Sequence, residues 1–158
     1  MPIFIDTCNI GEIKKFLKMG IIRGVTTNPT IIYKENLTGG IAGLEKTARE
    51  IAELIHPLPL SIEVLSNDPI EMVKQAEEFS KWSDNMVVKI TVHGPNGETD
   101  NVGVIHELET KRNIRVNAAA MMSAQQCFLI AMAGATYVSI FSGRVNDMGY
   151  NSLEEIKK

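Results

Sequence analysis

A lysine inside an apolar run is the residue of this sequence best placed to do chemistry. Met86-Val87-Val88-Lys89-Ile90 reads as a strand, and a strand in a parallel sheet is buried on both faces. A buried ammonium group needs a reason. One reason is structural: the side chain snorkels to the rim, or a carboxylate pairs with it and keeps it charged. The other is chemical: desolvation lowers its pKa, and the neutral amine attacks a ketone to form a Schiff base. Asp6 ends the apolar run Phe4-Ile5, where an aspartate either caps the following helix or serves as a general acid/base. Glu63 in Ser61-Ile62-Glu63-Val64 raises the same question of inward polarity, with an ion pair to Lys89 as its structural answer.

Other polar groups sit where strands should end. Thr26-Thr27-Asn28-Pro29 closes a second apolar run with hydroxyls and an amide at a proline-fixed turn, which ordinary turn chemistry also explains. Asn117 lies near the end of a run over 114–118. Alternation along Tyr137-Val138-Ser139-Ile140-Phe141 puts Ser139 and Phe141 on one face. Arg144 follows Gly143 just beyond; there an arginine suits a phosphate or carboxylate, with a surface ion pair as the alternative.

Short β-branched runs alternate with longer helix-period segments, the pattern of βα units and a parallel sheet. Strands are expected at 3–5, 22–26, 61–64, 86–90, 114–118 and 137–141, and helices at about 9–18, 40–55, 69–81, 101–112 and 123–133. Asn67-Asp68-Pro69 and Ser123 are helix starts, Gly20 and Gly134 are helix stops, and His93-Gly94-Pro95-Asn96-Gly97 is a loop. Six such units fit either an eight-unit barrel seen in part or a doubly wound sheet. In a barrel, Asp6, Glu63, Lys89 and Asn117 would converge at the C-terminal ends of the strands.

The 158 residues, 44% hydrophobic, suit one domain over 1–158. A net charge of −3 leaves no footprint for nucleic acid and no polybasic membrane patch. Cys8 and Cys127 are far apart and follow no metal-ligand spacing, so neither a disulfide scaffold nor a metal site is expected. The opening segment is not a charged leader, and no stretch is apolar enough to span a bilayer. A cytoplasmic protein with a small-molecule partner is the expectation.

Five segments together resemble the transaldolase family, in particular the small subfamily that includes fructose-6-phosphate aldolase. They are Phe4-Ile5-Asp6-Thr7, Gly24-Val25-Thr26-Thr27-Asn28-Pro29, Ser61-Ile62-Glu63-Val64, Val87-Val88-Lys89-Ile90, and Ala133 to Val138 leading into Phe141-Ser142-Gly143-Arg144. The resemblance implies a (β/α)8 TIM-type barrel of which about six units are visible here. It implies Lys89 as the Schiff-base lysine, Asp6 as the acid/base, and Glu63 as a carboxylate acting through water. Asn28, Asn117 and Ser139, with Thr26 beside Asn28, match groups that bind a dihydroxyacetone unit, and Arg144 matches a phosphate-binding arginine. It implies sugar-phosphate substrates, no metal or organic cofactor, and transfer from a ketose phosphate to an aldose phosphate. A class I aldolase and a weakened sugar-phosphate-binding relative are the alternatives. Phe141 stands where the aldolases carry a tyrosine, which favours transfer, and Ala119 stands where the family has a threonine.

Ser152 to Lys158 reads as the opening of a further helix. Since a barrel needs eight strands, the expectation is a partial chain, or a homo-oligomer in which a neighbouring subunit supplies what six units lack.

Overall fold

The computed structural model describes residues 3–34 and 40–158. Its strands are β1 (Phe4–Asp6), β2 (Gly24–Thr26), β3 (Leu60–Glu63), β4 (Met86–Thr91), β5 (Val116–Met121) and β6 (Tyr137–Ile140). The helices are α1 (Ile10–Lys18), α2 (Pro29–Lys34), α3 (Gly40–Ile55), α4 (Pro69–Phe79), α5 (Asp100–Lys111), α6 (Ala124–Met132), α7 (Ser142–Asp147) and α8 (Ser152–Lys157). All six expected strands and all five expected helices are present, and α8 begins at Ser152 as expected. The six-residue helices α2 and α7 are additions, each starting within three residues of a strand end.

The strand order is β1-β2-β3-β4-β5-β6. The pairs β1–β2, β2–β3 and β5–β6 are parallel, with Phe4 opposite Gly24, Val25 opposite Leu60 and Asn117 opposite Tyr137. A doubly wound sheet places its first strand inside the order rather than at an edge, so this alternative is excluded. Strictly sequential strands with intervening helices are the topology of the first six units of a (β/α)8 barrel.

The chain forms two compact units, Met1–Leu65 with Gln75–Val88, and Ser66–Lys74 with Lys89–Lys158. In the first, Ile13 of α1, Ile51 and Ile55 of α3, and Phe79 of α4 are fully buried, as are Val25, Leu60 and Ile62 of the strands. Phe79 stacks against Trp82 with ring centroids 4.3 Å apart. At Gly24 a Cβ would lie 2.2 Å from the Phe4 ring, so a side chain there would require that ring to shift. In the second unit the core is built from Ile90 of β4, Ile105 and Leu108 of α5, Val116 and Met121 of β5, and Ile130 of α6.

Helix ends follow local chemistry. Asp68 Oδ1 accepts from Ile70 N and Glu71 N at the start of α4, and Ser123 Oγ accepts from Gln126 N at the start of α6. Gly20 and Gly134 take positive φ (67° and 102°) after α1 and α6, the left-handed stop that glycine permits without strain. Among the described residues no helix is long and apolar enough to cross a membrane.

Candidate functional site

In the first unit β1 and β2 end together, with Asp6 opposite Thr26. Thr26 Oγ1 donates to Asp6 Oδ1 at 2.7 Å, and Asp6 is exposed. The cap of α1 is not Asp6 but Asn9, whose Oδ1 accepts from Glu12 N at 3.1 Å. The Asp6 carboxylate therefore stands at the strand end, bonded to a neighbouring hydroxyl rather than to the helix start. Two residues past β2, Asn28 Oδ1 accepts from Ile31 N at 3.0 Å, so its carbonyl organises the first turn of α2. Glu63 is the last residue of β3 and is half-buried.

In the second unit Lys89 belongs to a strand whose burial alternates over its last four residues: Val88 and Ile90 are buried, Lys89 and Thr91 half-buried. Period-two alternation puts Lys89 and Thr91 on one face. The lysine is thus less enclosed than a strand buried on both faces would make it. Asn117, 4% exposed, accepts at Oδ1 from Ser139 Oγ at 2.9 Å, joining two residues singled out in the sequence across the β5–β6 pair.

Asn117 is the second residue of β5 and not near its end, because the strand continues to Met121. Ala119 O accepts from Val92 N at 2.9 Å, and Met121 O accepts from Phe141 N at 2.7 Å. The β5–β6 register shifts between Ala118 and Met121. Within the shift Ala120 takes φ 62°, a left-handed conformation that costs a non-glycine residue about 1–2 kcal/mol. Such a bulge bends the strand and re-aims the residues beside it.

Phe141 is half-exposed and precedes α7. Arg144 lies inside α7, with its Nη1 3.3 Å from Asp147 Oδ2 and both side chains 67% exposed. A pair so open to water contributes little, about 0.2–1 kcal/mol.

The exit from β4 is braced by Thr91, Glu98 and Asn101, which the sequence did not single out, around the loop that begins at His93. Asn101 of α5, 2% exposed, donates from Nδ2 to Thr91 O at 2.9 Å and to Thr91 Oγ1 at 3.3 Å. Thr91 Oγ1 donates in turn to His93 O at 2.9 Å. His93 Nδ1 lies 3.0 Å from Gly94 O; a carbonyl only accepts, so Nδ1 carries the proton. Glu98 closes the loop, its carboxylate accepting from Asn96 N and Nδ2. The Asn96 side-chain bond is the main reason its carboxyl titrates below the usual range. The available signal for Thr91 was its parity with Lys89; for Asn101 it was a lone amide in the first turn of a helix.

A cleft of about 560 Å³ in the first unit is lined by Arg49, Glu53, His56, Trp82 and Ser83. These residues come from α3 and from segments that precede β3 and β4, whereas the polar side chains described above lie along the strands or follow them. Among the described residues no three His, Cys, Asp or Glu side chains are grouped to hold a metal ion.

Sequential βα units carrying a strand-borne lysine, an acidic strand end and a part-buried amide–hydroxyl pair define an α/β protein of the barrel class with polar groups along its strands. The family model for Transaldolase/Fructose-6-phosphate aldolase matches residues 3–158, and the chain belongs to that family. A probable transaldolase of Dehalococcoides mccartyi is 41% identical over 153 residues, covering 97% of this chain and 66% of the relative. One from Petrotoga mobilis is 42% identical over 158 residues, covering 100% and 66%. The chain thus spans about two thirds of the length of these relatives. Among solved structures, a mandelate oxidase shares the fold at TM-score 0.51 and 8% identity, covering 82% of this chain and 45% of that one.

Proposed function

We propose that this chain carries the catalytic groups of a Schiff-base transaldolase, moving a dihydroxyacetone unit from a ketose phosphate to an aldose phosphate. The observation that supports it most is Lys89: among the described residues it is the one lysine within a β-strand, in a member of a family named for such aldol chemistry. In this reading the Lys89 amine attacks the ketose carbonyl, and loss of water leaves an iminium that accepts the electron pair of the adjacent carbon–carbon bond. Asp6 takes the proton from the hydroxyl on the carbon that departs as aldehyde. Glu63 serves proton transfer through water. Asn117 and Ser139 bind the retained three-carbon unit with Asn28 and Thr26, and Arg144 takes the phosphate. Phe141 offers no hydroxyl to activate water against the enamine, which favours transfer over net cleavage.

Borohydride added with fructose 6-phosphate should fix a reduced, substrate-derived adduct on Lys89, readable by peptide mass mapping. An adduct on another lysine, or none with any ketose phosphate tried, overturns the reading. Product analysis without an acceptor aldose separates transfer from aldol cleavage.

A further inference from the structure

We infer that Thr91 anchors the water through which protons move while Lys89 forms its imine; the inference rests on the Schiff-base reading above. Lys89 and Thr91 are the two half-buried residues of β4, alternating with Val88 and Ile90 at 1% and 0% exposure. The bond from Val92 N to Ala119 O sets this strand against β5. Counting back along both strands brings Lys89 level with Asn117, and Thr91 level with Ala119, to within a residue.

On the Lys89 face at this level, a hydroxyl is supplied by Thr91 alone of these four residues. Asn117 Oδ1 already accepts from Ser139 Oγ, and Ala119 ends in a methyl group. The Thr91 hydroxyl is oriented from within: its proton goes to His93 O at 2.9 Å, and one lone pair receives Asn101 Nδ2 at 3.3 Å. A hydroxyl oxygen has two lone pairs, so the second is held in a fixed direction as an acceptor for water.

Imine formation needs such a water. Attack by the neutral amine joins nitrogen to the carbonyl carbon, and a proton passes from nitrogen to oxygen to give the carbinolamine. One further proton, drawn from solvent, then reaches that hydroxyl; the carbon–oxygen bond breaks, water leaves and the iminium remains. A water donating one hydrogen to Thr91 Oγ1 keeps its other hydrogen and its lone pairs aligned for both transfers. Thr91 exchanges no proton with substrate and is a positioning residue.

The test compares rates of borohydride trapping at Lys89 with fructose 6-phosphate. Thr91→Val keeps the side-chain shape and removes the oxygen; it should slow trapping about tenfold, the order expected for one lost hydrogen bond. The final adduct yield, KM and Tm should stay near the parent values. Thr91→Ser should restore the rate, which a purely structural role of the hydroxyl would not require once Tm is unchanged. Should the valine variant fold poorly, Thr91→Ala against Thr91→Ser gives the same contrast. Trapping by the valine or alanine variant at the parent rate, with the parent labelled at Lys89, overturns the role of Thr91 and leaves the Schiff-base reading standing. A parent protein that is never labelled at Lys89 removes that reading, and the role of Thr91 with it.

Discussion

Asn85 and Glu109, which precede strands, find a different kind of partner from the Thr26–Asp6 and Ser139–Asn117 pairs on the strands. Asn85, one residue before β4 and 3% exposed, gives Nδ2 to Ala52 O and Leu58 O and receives Ser83 Oγ. Glu109 of α5 binds Val116 N and Thr136 N through one carboxylate oxygen, at 2.6 and 2.7 Å, tying together the starts of β5 and β6. These residues satisfy backbone groups that would otherwise be costly to bury. On the strands, Thr26 bonds Asp6 and Ser139 bonds Asn117, side chain to side chain. A side-chain pair can exchange its bond for one to a ligand without leaving a backbone group unsatisfied; Asn85 and Glu109 cannot release theirs without doing so. Amide and carboxylate types therefore say little about role until their partners are known.

If this contrast is sound, Asp6→Asn should leave Tm near its parent value and keep adduct formation at Lys89, while turnover falls on the order of 10²–10⁴, as for loss of a positioned acid/base. Steady-state rates with fructose 6-phosphate and an aldose acceptor measure it, and equal loss of trapping and turnover would break the contrast at its catalytic end. Asn85→Leu is the converse. It strands two carbonyls and should cost about 2–3 kcal/mol, lowering Tm by about 5–10 °C, with turnover per folded molecule unchanged. Thermal melts and active-site titration together decide it.

The smallest effect concerns pH. The Glu155 carboxyl titrates below its ordinary range, chiefly because Lys158 hydrogen-bonds it and next because Ala124 N–H does. A group whose folded pKa is depressed stabilises above its unfolded pKa, and that stabilisation disappears as pH falls through the folded value. Protection of the Ala124 amide against hydrogen exchange, corrected for intrinsic rate, should therefore drop on acidification below the ordinary glutamate range. In Glu155→Gln it should be low and nearly independent of pH.

Much of the scaffold was legible because hydrophobic period and end signals agreed. The run 40–55 has helical spacing throughout and became α3 with those bounds, and Asp68 and Ser123 cap the helices that their positions announced. α2 and α7 escaped because each is short and opens on turn-type residues, Asn28-Pro29 and Ser142-Gly143, that mask a helix start. Asp6 was readable as a polar strand end, but its separation from the α1 cap depends on Asn9, three residues on. Lys89 was conspicuous; its partial exposure was not, since a strand read alone does not show how closely its neighbours cover it. Ala120 gave no sign of its positive φ, because alanine carries none of the turn chemistry that marks glycine or asparagine. Asn85, Thr91 and Asn101 look like ordinary polar residues until the carbonyls that they meet are in view.

The sequential strand order also bears on how the chain is made. Phe4 finds Gly24 and Asn117 finds Tyr137, so these pairings close segments of only about 20 residues, whose loop entropy is modest. Among the described residues each strand after β1 pairs with the strand that precedes it in sequence. As synthesis proceeds from the N-terminus, each newly emerged strand can add to the one before it, and the growing edge always belongs to the youngest strand. Ribosome-bound chains should accordingly acquire protease resistance in steps, one per βα unit, rather than in a single event at release.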